Sequence, residues 1–300
     1  MTNHKFTLLI PTKNRLTELR FTLKKLQFIL ENPLVDCIIC DDGSTDGTSE
    51  YLTENHPNIK VIRNRSSKGI HAVRNKLLSL VKTPFALSID DDAHFITEDV
   101  LKNIEEYFKN NEKVGLVSFR AFWSLKEPLS TNTIEKPVRV KSFGAVGFAM
   151  RMKTWNEIPK LLEWFKFYGE EDFIAFQLFK KGWKIDYLPE VLVHHRVDVK
   201  SRKNDKDYRL RLRRSLRSGW YLYFLFYPLK EIPRRFFYTL WMQLKLKVFK
   251  GDFKALIAII QALFDVILNI PRLYKNSNRL TNNEFDAYQK IADAKIYWKP

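Results

Sequence analysis

The sequence predicts an α/β fold in which a mixed, mostly parallel sheet is flanked by helices and is followed by a basic helical region at the C-terminal end. Two observations predict it. Short apolar runs alternate with segments of helical period over the first two thirds of the chain, which is typical of parallel sheets covered by helices. After residue 199, basic and aromatic residues at helical spacing replace that alternation. A chain of 300 residues is long enough to bury a core of this kind.

The individual elements follow from the hydrophobic periodicity in chain order. Apolar runs predict strands at 6–10, 35–40, 59–63, 85–89, 115–122, 184–189 and 191–195, and an apolar segment at 142–150 contains two glycines. Helical periodicity predicts helices at 16–30, 49–55, 69–81, 98–109 and from 170 to the Lys180-Lys181-Gly182 stretch. Ligands of such sheets bind outside the carboxyl ends of the strands, where the polar loops of this chain fall.

The two cysteines of the chain, Cys37 and Cys40, lie within one predicted strand. Positions three apart on a strand point to opposite faces, so this pair is not expected to form a metal half-site or a redox pair. We expect buried, reduced thiols, consistent with a cytoplasmic chain. The start of the sequence, residues 1–6, carries no apolar signal-peptide region, which argues against export.

Three adjacent carboxylates, Asp90, Asp91 and Asp92, follow the apolar run that ends at Ile89. Like charges this close repel one another unless a cation or a polar ligand offsets them. Residues two apart on an extended chain face the same side, so Asp90 and Asp92 are expected to share a ligand while Asp91 faces away. The alternative is an acidic turn that caps the next helix.

Two later clusters favour the metal interpretation over the capping turn. Glu170-Glu171-Asp172 opens a predicted helix, and His194-His195 ends a predicted strand. Any single acid in a first helical turn is explained by the helix dipole, and a single histidine by core packing. Three acids in a row exceed what capping needs, and paired imidazoles suit a metal or a phosphate.

The polar loop at residues 41–48 contains Asp41 and Asp42. It is not a calcium-binding loop of the EF-hand type, because Thr53 stands where a bidentate Glu is required. The chain contains neither G-x-G-x-x-G nor G-x-x-x-x-G-K-[ST], so dinucleotide and P-loop phosphate binding are not supported. Carboxylates in this loop can accept hydrogen bonds from a nucleobase or ribose, whereas turn formation alone explains only the glycines.

In their order and spacing, these motifs resemble the family 2 glycosyltransferases, inverting enzymes of the GT-A fold that use nucleotide-sugar donors. The resemblance extends over residues 5–197 and is carried by residues 11–15, 41–48, 69 with 72–75, 90–92, 144–151, 170–172 with 182–183, and 194–195. The sequence departs from the commonest family pattern in two places. The second acidic cluster reads Glu-Glu-Asp instead of a Glu-Asp pair, and the histidine is doubled.

The resemblance implies a role for each matching position. The residues implied in donor binding are Pro11, Thr12, Arg15, Asp42, Arg74, Asp90 and Asp91, with Asp90 toward the ribose. Asp92 is implied as a ligand of Mg²⁺ or Mn²⁺, together with His195 or His194, and the donor as a UDP-, dTDP- or GDP-linked sugar. Glu171 or Asp172 is implied as the base that removes a proton from the acceptor hydroxyl, so that the anomeric configuration inverts.

The last third of the chain is strongly basic within a protein of net charge +17. Residues 200–275 contain 18 Lys and Arg against five Asp and Glu, with many aromatic residues between them. We expect a linker at 200–206, helices from Tyr208 onward, and a region that lies on an anionic membrane surface. The alternative is a set of helices packed on the catalytic domain. The apolar run at 255–270 is interrupted by polar residues and is expected to be too short and too polar to span a membrane.

The sequence therefore predicts a catalytic domain at residues 1–198 and a basic, aromatic helical region at 199–300. The predicted function is a metal-dependent hexosyltransferase, peripheral on the inner face of the cytoplasmic membrane. Its expected partners are a nucleotide sugar, a lipid-linked or surface-glycan acceptor and an anionic membrane, and no nucleic acid is expected. The alternative is a nucleic-acid or anionic-lipid binding protein without catalysis, which leaves the acidic clusters unexplained.

Overall fold

A computed structural model describes residues 4–198 and 206–300. The strands of these residues are β1 Phe6–Thr12, β2 Val35–Asp41, β3 Lys60–Arg63, β4 Phe85–Ile89, β5 Ala93–Phe95, β6 Val114–Trp123, β7 Val138–Val140, β8 Gly147–Arg151 and β9 Lys184–His195. The helices are α1 Leu16–Lys25, α2 Gln27–Leu30, α3 Thr48–Asn55, α4 Ile70–Ser79, α5 Val100–Asn110, α6 Met152–Glu157, α7 Glu170–Lys180, α8 Tyr208–Phe226, α9 Ile232–Leu246, α10 Phe253–Lys275 and α11 Asn282–Gln289.

All nine strands form one mixed sheet in the order β3-β2-β1-β4-β8-β6-β9-β5, with β7 paired to β9. The strands β1 to β4 pair in parallel with one another, as the alternation of strands and helices predicts. β8 runs antiparallel between β4 and β6, while β6 and β9 pair in parallel. The predicted α/β class with a helix-flanked mixed sheet is confirmed.

The sheet separates two cores, one on each face. One contains side chains of α1, α3 and α5, and the other contains side chains of α4, α6, α7, α8 and α10. Cys37 belongs to the first core and Cys40 to the second, and both thiols are free and buried. The period of two along β2 places them on opposite faces, as the sequence predicts.

The structure differs from the sequence prediction at several elements. The two strands predicted at 184–189 and 191–195 form the single strand β9, which carries a bulge where the register to β6 shifts between Phe119 and Arg120. Pro189 lacks an N–H group, and this break in the apolar pattern gives the sequence its two-strand appearance. The predicted helix at 16–30 is divided into α1 and α2 at Leu26, and the short strands β5 and β7 were not predicted.

The C-terminal helices share the core of the sheet. Trp220, Tyr221 and Leu225 of α8 are buried in the same cluster as Leu9 and Ile38 of the central strands. α8 packs in turn on α7, α9 and α10. The linker predicted at 200–206 lies outside the described residues except for Lys206.

α10 is longer than the apolar run that marks it in the sequence. It continues past both ends of the 255–270 run to 23 residues, which makes it long and apolar enough, by length and composition, to cross a membrane. The expectation that this segment is too short and too polar is therefore corrected. Core helices of soluble proteins satisfy the same criterion, and a third of the most apolar window of α10 is buried.

Candidate active site

A cavity of about 1300 Å³ opens at the carboxyl ends of the parallel strands. The motifs singled out in the sequence lie on its walls. Its lining includes Pro11, Thr12, Arg15, Asp42, Arg74, Asp90, Asp91, Asp92, Glu171, Asp172 and His195. Of the predicted site residues, His194 is the one that does not line it.

The triple Asp forms a turn between β4 and β5. β4 ends at Ile89, and the N–H group of Ala93 donates to the carbonyl oxygen of Asp90 at 3.1 Å. Asp90 and Asp92 do face one ligand position, but a tight turn brings them together instead of the extended geometry assumed from the sequence. Asp91 is directed toward the β1 loop, where its carboxylate accepts hydrogen bonds from Thr12 at 2.8 Å and Arg15 at 3.0 Å.

Strand alternation divides the two histidines. In the antiparallel pair of β5 and β9, Ala93 lies opposite His195 and His94 lies opposite His194. His195 points into the cavity, and its Nε2 atom lies 3.1 Å from a carboxylate oxygen of Asp92. His194 points to the other face, where its Nε2 atom lies 2.8 Å from the carbonyl oxygen of Ser124. His195 therefore lies with Asp90 and Asp92, whereas His194 lies with His94 and Glu127 in a second group of possible metal ligands, and the choice between the two histidines stays a prediction.

Asp90, Asp92 and His195 form a donor set that fits a divalent metal. One ligand atom from each lies within 4.8 Å of the other two. Carboxylate oxygens suit Mg²⁺ and Mn²⁺, and an imidazole completes the set as a nitrogen donor. The buried Nδ1 atom of His195 has no hydrogen-bond partner among the described residues, so packing alone does not account for this ring.

The three carboxyl groups of the turn differ in the direction in which the protein shifts their pKa. Burial opposes ionisation of Asp92, but hydrogen bonds and charge from His195 and Arg15 lower the pKa of its carboxyl group. Asp90 is paired with Arg74, yet burial dominates and raises its pKa. Burial likewise raises the pKa of Asp91 to about 7. A metal cation placed between Asp90 and Asp92 would offset the negative charge of these carboxylates, in addition to the positive charges of Arg15 and Arg74.

The predicted nucleoside loops are fixed to each other by hydrogen bonds. Asn14, in a left-handed conformation with φ of 51°, donates its N–H group to Ser44 Oγ at 2.8 Å and accepts from the N–H group of Thr45 at 2.7 Å. Asp46 accepts from the N–H group of Leu16 at 3.0 Å, at the start of α1. These bonds join the loop after β1 to the loop after β2 and form one wall of the cavity.

Asp42 holds a third segment, residues 64–69, against this wall. Its carboxylate accepts four hydrogen bonds of 2.7–3.0 Å, from the side chains of Asn64 and Ser67 and the N–H groups of Lys68 and Gly69. Burial alone would raise the pKa of Asp42, but these hydrogen bonds lower it. Four donors occupy the acceptor sites of a carboxylate, so Asp42 positions the loop beside the donor site.

Arg74 connects the donor wall to the turn. From α4, its guanidinium donates to Ser88 Oγ at 2.9 Å, to the carboxylate of Asp90 at 3.2 Å and to the carbonyl oxygen of Ala145 at 3.2 Å. The side chain is buried. Arg74 therefore fixes the position of Asp90 relative to the glycine-containing segment before β8.

The second acidic cluster divides into three different environments at the start of α7. Glu170 is buried and lies 3.4 Å from His71 Nε2. Asp172 accepts a hydrogen bond from Ser142 at 2.6 Å. Glu171 is half-buried on the cavity wall and receives no hydrogen bond from any other side chain in the described ranges.

The same division appears in the pKa values of the cluster. The surrounding protein displaces water from the carboxylate of Glu171, and the neighbouring Glu170 adds repulsion, so that its pKa lies well above 4.5. Burial also raises the pKa of Asp172, against the hydrogen bond from Ser142. For Glu170, the hydrogen bond and charge of His71 outweigh burial and lower the pKa. In this cluster the pKa of Glu171 is raised well above its usual value, and no hydrogen bond from another described side chain reaches its carboxylate.

Sequence reasoning missed the residues that position these groups. Trp123 packs edge-on against His195 at 4.2 Å between ring centroids, and its indole donates to the carbonyl oxygen of Ile296 at 3.0 Å. Ser142 and His71 hold the acids of α7. Ser142 opens the glycine-containing segment that the sequence singles out, which is a usable signal. No local signal marks Trp123, because its partners come from the far end of the chain.

Comparison with known proteins agrees with this arrangement. The model of the family "Glycosyl transferase family 2" matches residues 7–176. A protein of Escherichia coli, described as UDP-Glc:alpha-D-GlcNAc-diphosphoundecaprenol beta-1,3-glucosyltransferase WfaP, is 28% identical over 113 residues. That match covers 37% of this chain and 43% of the relative, so it spans less than half of either protein.

Solved structures share the fold. TarS 1–349 of S. aureus in complex with UDP-GlcNAc aligns with a TM-score of 0.56 and 17% identity over 91% of this chain and 84% of that one. The mannosyltransferase PcManGT of Pyrobaculum calidifontis, in complex with GDP-Man and Mn²⁺, aligns with a TM-score of 0.55 and 16% identity over 88% and 75%. At these identities the likeness shows the fold, which is GT-A.

Proposed function

The chain belongs to glycosyl transferase family 2 and is therefore a glycosyltransferase, and from this premise we propose that it moves a sugar from a nucleotide-diphosphate donor to an acceptor hydroxyl with inversion. One observation carries the proposal: the turn of Asp90 and Asp92 with His195 and the free carboxylate of Glu171 line the same cavity. A cation-binding group and a base within one cavity are the two requirements of direct displacement at an anomeric carbon.

The donor occupies the wall formed by the loops after β1 and β2. Thr12 and Arg15 lie beside Asp91 at its base, and Asp42 holds the segment that closes it from the side. Asp90 is the most exposed acid of the turn, at 29% of its side chain, and we assign it to the ribose. The relatives named above bind UDP- and GDP-linked sugars, and this wall offers polar groups for either nucleotide.

Asp92 and His195, with Asp90, are the residues that would hold Mg²⁺ or Mn²⁺. When bound, the metal supplies positive charge against the diphosphate of the donor and so stabilises the leaving nucleotide. Arg15, which contacts both Asp91 and Asp92, adds a second positive charge at this end of the cavity. Arg74 keeps Asp90 in place through its three hydrogen bonds.

Glu171 acts as the general base. Its carboxylate takes the proton of the acceptor hydroxyl while that oxygen forms the new bond to the anomeric carbon and the bond to the donor phosphate breaks. The nucleoside diphosphate leaves from the opposite side, and the proton remains on Glu171. Asp172, held by Ser142, orients the start of α7 beside it, and it is the alternative base.

The acceptor we propose is a lipid-linked glycan of the cell envelope, reached at the cytoplasmic face of the membrane. The E. coli relative is described as acting on a diphosphoundecaprenol-linked sugar. The outer faces of α9 and α10 expose large apolar side chains beside Lys and Arg, which suits a helix pair lying in the membrane interface. Residues 199–300 then form a membrane-binding region that shares its core with the catalytic domain.

α10 lies in the interface in this proposal and does not span the bilayer. Asp265, near its middle, forms ion pairs with Arg213 at 2.6 Å and Arg217 at 3.6 Å of α8. A spanning orientation would carry these charged groups to the depth of the hydrocarbon core, where ionised side chains are costly. An interfacial orientation leaves them on the protein side of α10.

Metal-dependent nucleotide binding tests the donor site directly. We expect one of UDP, dTDP and GDP to bind in the presence of Mn²⁺, measured by isothermal titration, and to lose more than about 100-fold in affinity in D92N. D286N is the matched control, because Asp286 is an exposed acid on α11 outside the cavity. Absence of metal-dependent binding for all three nucleotides in the folded wild type would reject the proposal.

A further inference from the structure

One face of α8 forms a cationic wall of the same cavity. Arg211, Arg214, Ser218 and Leu222 follow one another at helical spacing and all line it. Ser218 donates to the carbonyl oxygen of Phe167 at 3.1 Å, in the loop that leads into α7. α8 thus borders the cavity from Leu222, beside the loop before α7, to Arg214 and Arg211 near the N-terminal end of the helix.

The spacing along α8 places the two arginines beyond the part of the helix that contacts the start of α7. A Cβ atom on Gly169 would lie 3.4 Å from Ser218 Cβ and 3.4 Å from Leu222 Cδ1, so this part of α8 contacts the residue two before Glu171. At 1.5 Å per residue, Arg214 lies about 6 Å and Arg211 about 10 Å further out along the helix axis. That is the scale of one hexose ring and its first substituent.

Arg214 is a cation without a carboxylate partner among the described residues. Arg213 and Arg217 pair with Asp265, and Arg211 pairs with Asp207 at 2.6 Å. Within residues 4–198 and 206–300 no such ion pair reaches Arg214, which is half-buried. Burial, followed by the charge of Arg217, lowers the pKa of its guanidinium, although Tyr168 and Asp207 act in the opposite direction. A bound anion would offset this accumulation of positive charge.

We propose that Arg211 and Arg214 bind the diphosphate group through which a lipid-linked acceptor carries its sugar. This inference rests on the proposed function, because it takes Glu171 as the group that receives the acceptor hydroxyl. Guanidinium groups bind phosphate oxygens in bidentate fashion, and two of them three residues apart on one helix face suit a diphosphate better than a single charge.

The donor diphosphate is not the anion that this pair binds. The acceptor hydroxyl attacks from the side opposite the leaving nucleotide, so the two diphosphates lie at opposite ends of the reacting atoms. The charged groups that act most strongly on Arg214 are Arg217, Tyr168, Arg213 and Asp207. α8 also packs directly on α10, the helix whose outer face is proposed to lie on the membrane.

Farnesyl diphosphate, a diphosphate on an apolar chain without a sugar, tests this site. We measure its binding by isothermal titration in EDTA, so that the proposed metal site makes no contribution. R211Q/R214Q should bind it about tenfold or more weakly than the wild type, since the charge-assisted hydrogen bonds of both guanidinium groups to the diphosphate are lost. R214K, which keeps the charge but not the planar fork, should fall between the two.

The matched control is R209Q/R234Q, which removes the same charge from two exposed arginines that do not line the cavity. It should bind farnesyl diphosphate as the wild type does, and all variants should keep the wild-type affinity for the nucleotide with Mn²⁺. The inference is overturned if the wild type and R211Q/R214Q bind farnesyl diphosphate with equal affinity, or if the wild type does not bind it. The proposed function still stands in either case if the nucleotide binds in the presence of Mn²⁺.

Vesicles containing phosphatidylglycerol distinguish an acceptor diphosphate from a lipid headgroup. R211Q/R214Q and R209Q/R234Q should bind such vesicles equally, since both carry the same net charge. If R211Q/R214Q loses vesicle binding selectively and keeps farnesyl diphosphate, the pair contacts the membrane surface and the inference is wrong.

Discussion

Single residues within one acidic cluster have separate tasks. Glu170 is tied to His71, Asp172 to Ser142, and Glu171 faces the cavity with a carboxylate that no other described side chain binds. The sequence shows three equivalent acids. The differences among them come from what each side chain meets, and they support the proposal that Glu171 takes the proton.

E171Q tests this assignment. The amide keeps the size of the side chain but cannot take a proton, so we expect transfer to fall by about 10²–10⁴-fold while metal-dependent nucleotide binding stays unchanged. D172N is the matched variant at the neighbouring acid and should retain most of the activity, because Asn still accepts a hydrogen bond from Ser142. A larger loss in D172N than in E171Q, in steady-state kinetics, would move the base to Asp172.

The raised pKa of Glu171 gives the same variant a second readout. The folded state holds the proton of Glu171 to higher pH than the unfolded chain does, so stability decreases as pH rises from 4.5 through the raised pKa. The glutamine of E171Q cannot ionise. At a pH above the raised pKa, E171Q should therefore have a higher melting temperature than the wild type, and at pH 4 the two melting temperatures should be equal. In the wild type, the acidic limb of the rate profile should lie above pH 4.5.

Gly69 occupies a position where there is no room for a Cβ atom. It has a φ of 94°, and an added Cβ atom would lie 2.6 Å from the carbonyl oxygen of Lys166. G69A should therefore lose about 1–3 kcal/mol from the left-handed conformation and a further amount from the clash. It should also weaken nucleotide binding, because the Gly69 N–H group donates to Asp42.

The control for G69A is G182A, whose glycine has a φ of 76° and no atom within 4 Å of the added Cβ. Urea unfolding of the two variants separates the conformational cost, which both share, from the clash, which only G69A has. Equal destabilisation of both variants would show that the loop at Lys166 moves away without cost.

At the scale of elements, α10 has two apolar faces. The buried face consists of small and branched residues packed on α8, among them Ala255, Ala258 and Ala262. On the opposite face, large apolar side chains recur along the helix and are exposed: Phe253, Ile257, Ile260, Phe264, Ile267, Leu268 and Tyr274. A helix that serves only a soluble core needs one apolar face, so the second supports the proposal that α10 lies on a membrane surface.

F264S/L268S tests the outer face of α10, where the two side chains are 60% and 75% exposed. Burial of each in the interface contributes about 1.5–3 kcal/mol, so the double variant should bind vesicles roughly 100-fold more weakly in co-sedimentation. L129S/I134S removes two fully exposed apolar residues outside the C-terminal region and is the matched control. Equal partitioning of F264S/L268S and the wild type would exclude this face.

At the scale of the whole molecule, the net charge of +17 is concentrated where the apolar surface lies. Residues 200–275 contribute 18 basic residues against five acidic ones, while the catalytic cavity collects the acids of three separate motifs. The distribution favours approach to an anionic bilayer by the C-terminal helices, with the cavity on the adjoining side.

Salt should therefore control membrane binding. Each Lys or Arg near an anionic surface contributes about 1 kcal/mol at physiological ionic strength, and screening shortens the Debye length from about 30 Å at 0.01 M to about 3 Å at 1 M. Flotation with phosphatidylglycerol vesicles should show binding that falls steeply across this range, whereas weaker binding to phosphatidylcholine vesicles should change little. If binding to both kinds of vesicle were independent of salt, the positive charge of the C-terminal helices would have no role in membrane binding.

Many features of this protein can be predicted from its sequence, because they depend on local patterns of apolar and polar residues. The alternation of strands and helices follows from periods of two and 3.6 residues, and it predicts a mostly parallel sheet and the edge at which ligands bind. The acids at 41–42, 90–92 and 170–172 follow strands or open helices, so their arrival at one edge could be predicted. The opposite faces of Cys37 and Cys40 follow from the same rule.

Only the tertiary structure decided which partners each member of a cluster has. The pairing of β5 with β9 directs His195 inward and His194 away, and neither the short strand β5 nor its register has a local signal. The choice of Glu171 depends on His71 and Ser142, and the position of Arg214 depends on contacts of α8 with a loop some 50 residues earlier in the chain. Periodicity determines which face of an element is apolar. Contacts between distant segments determine which partners each polar side chain has, and the chemistry of the site depends on those partners.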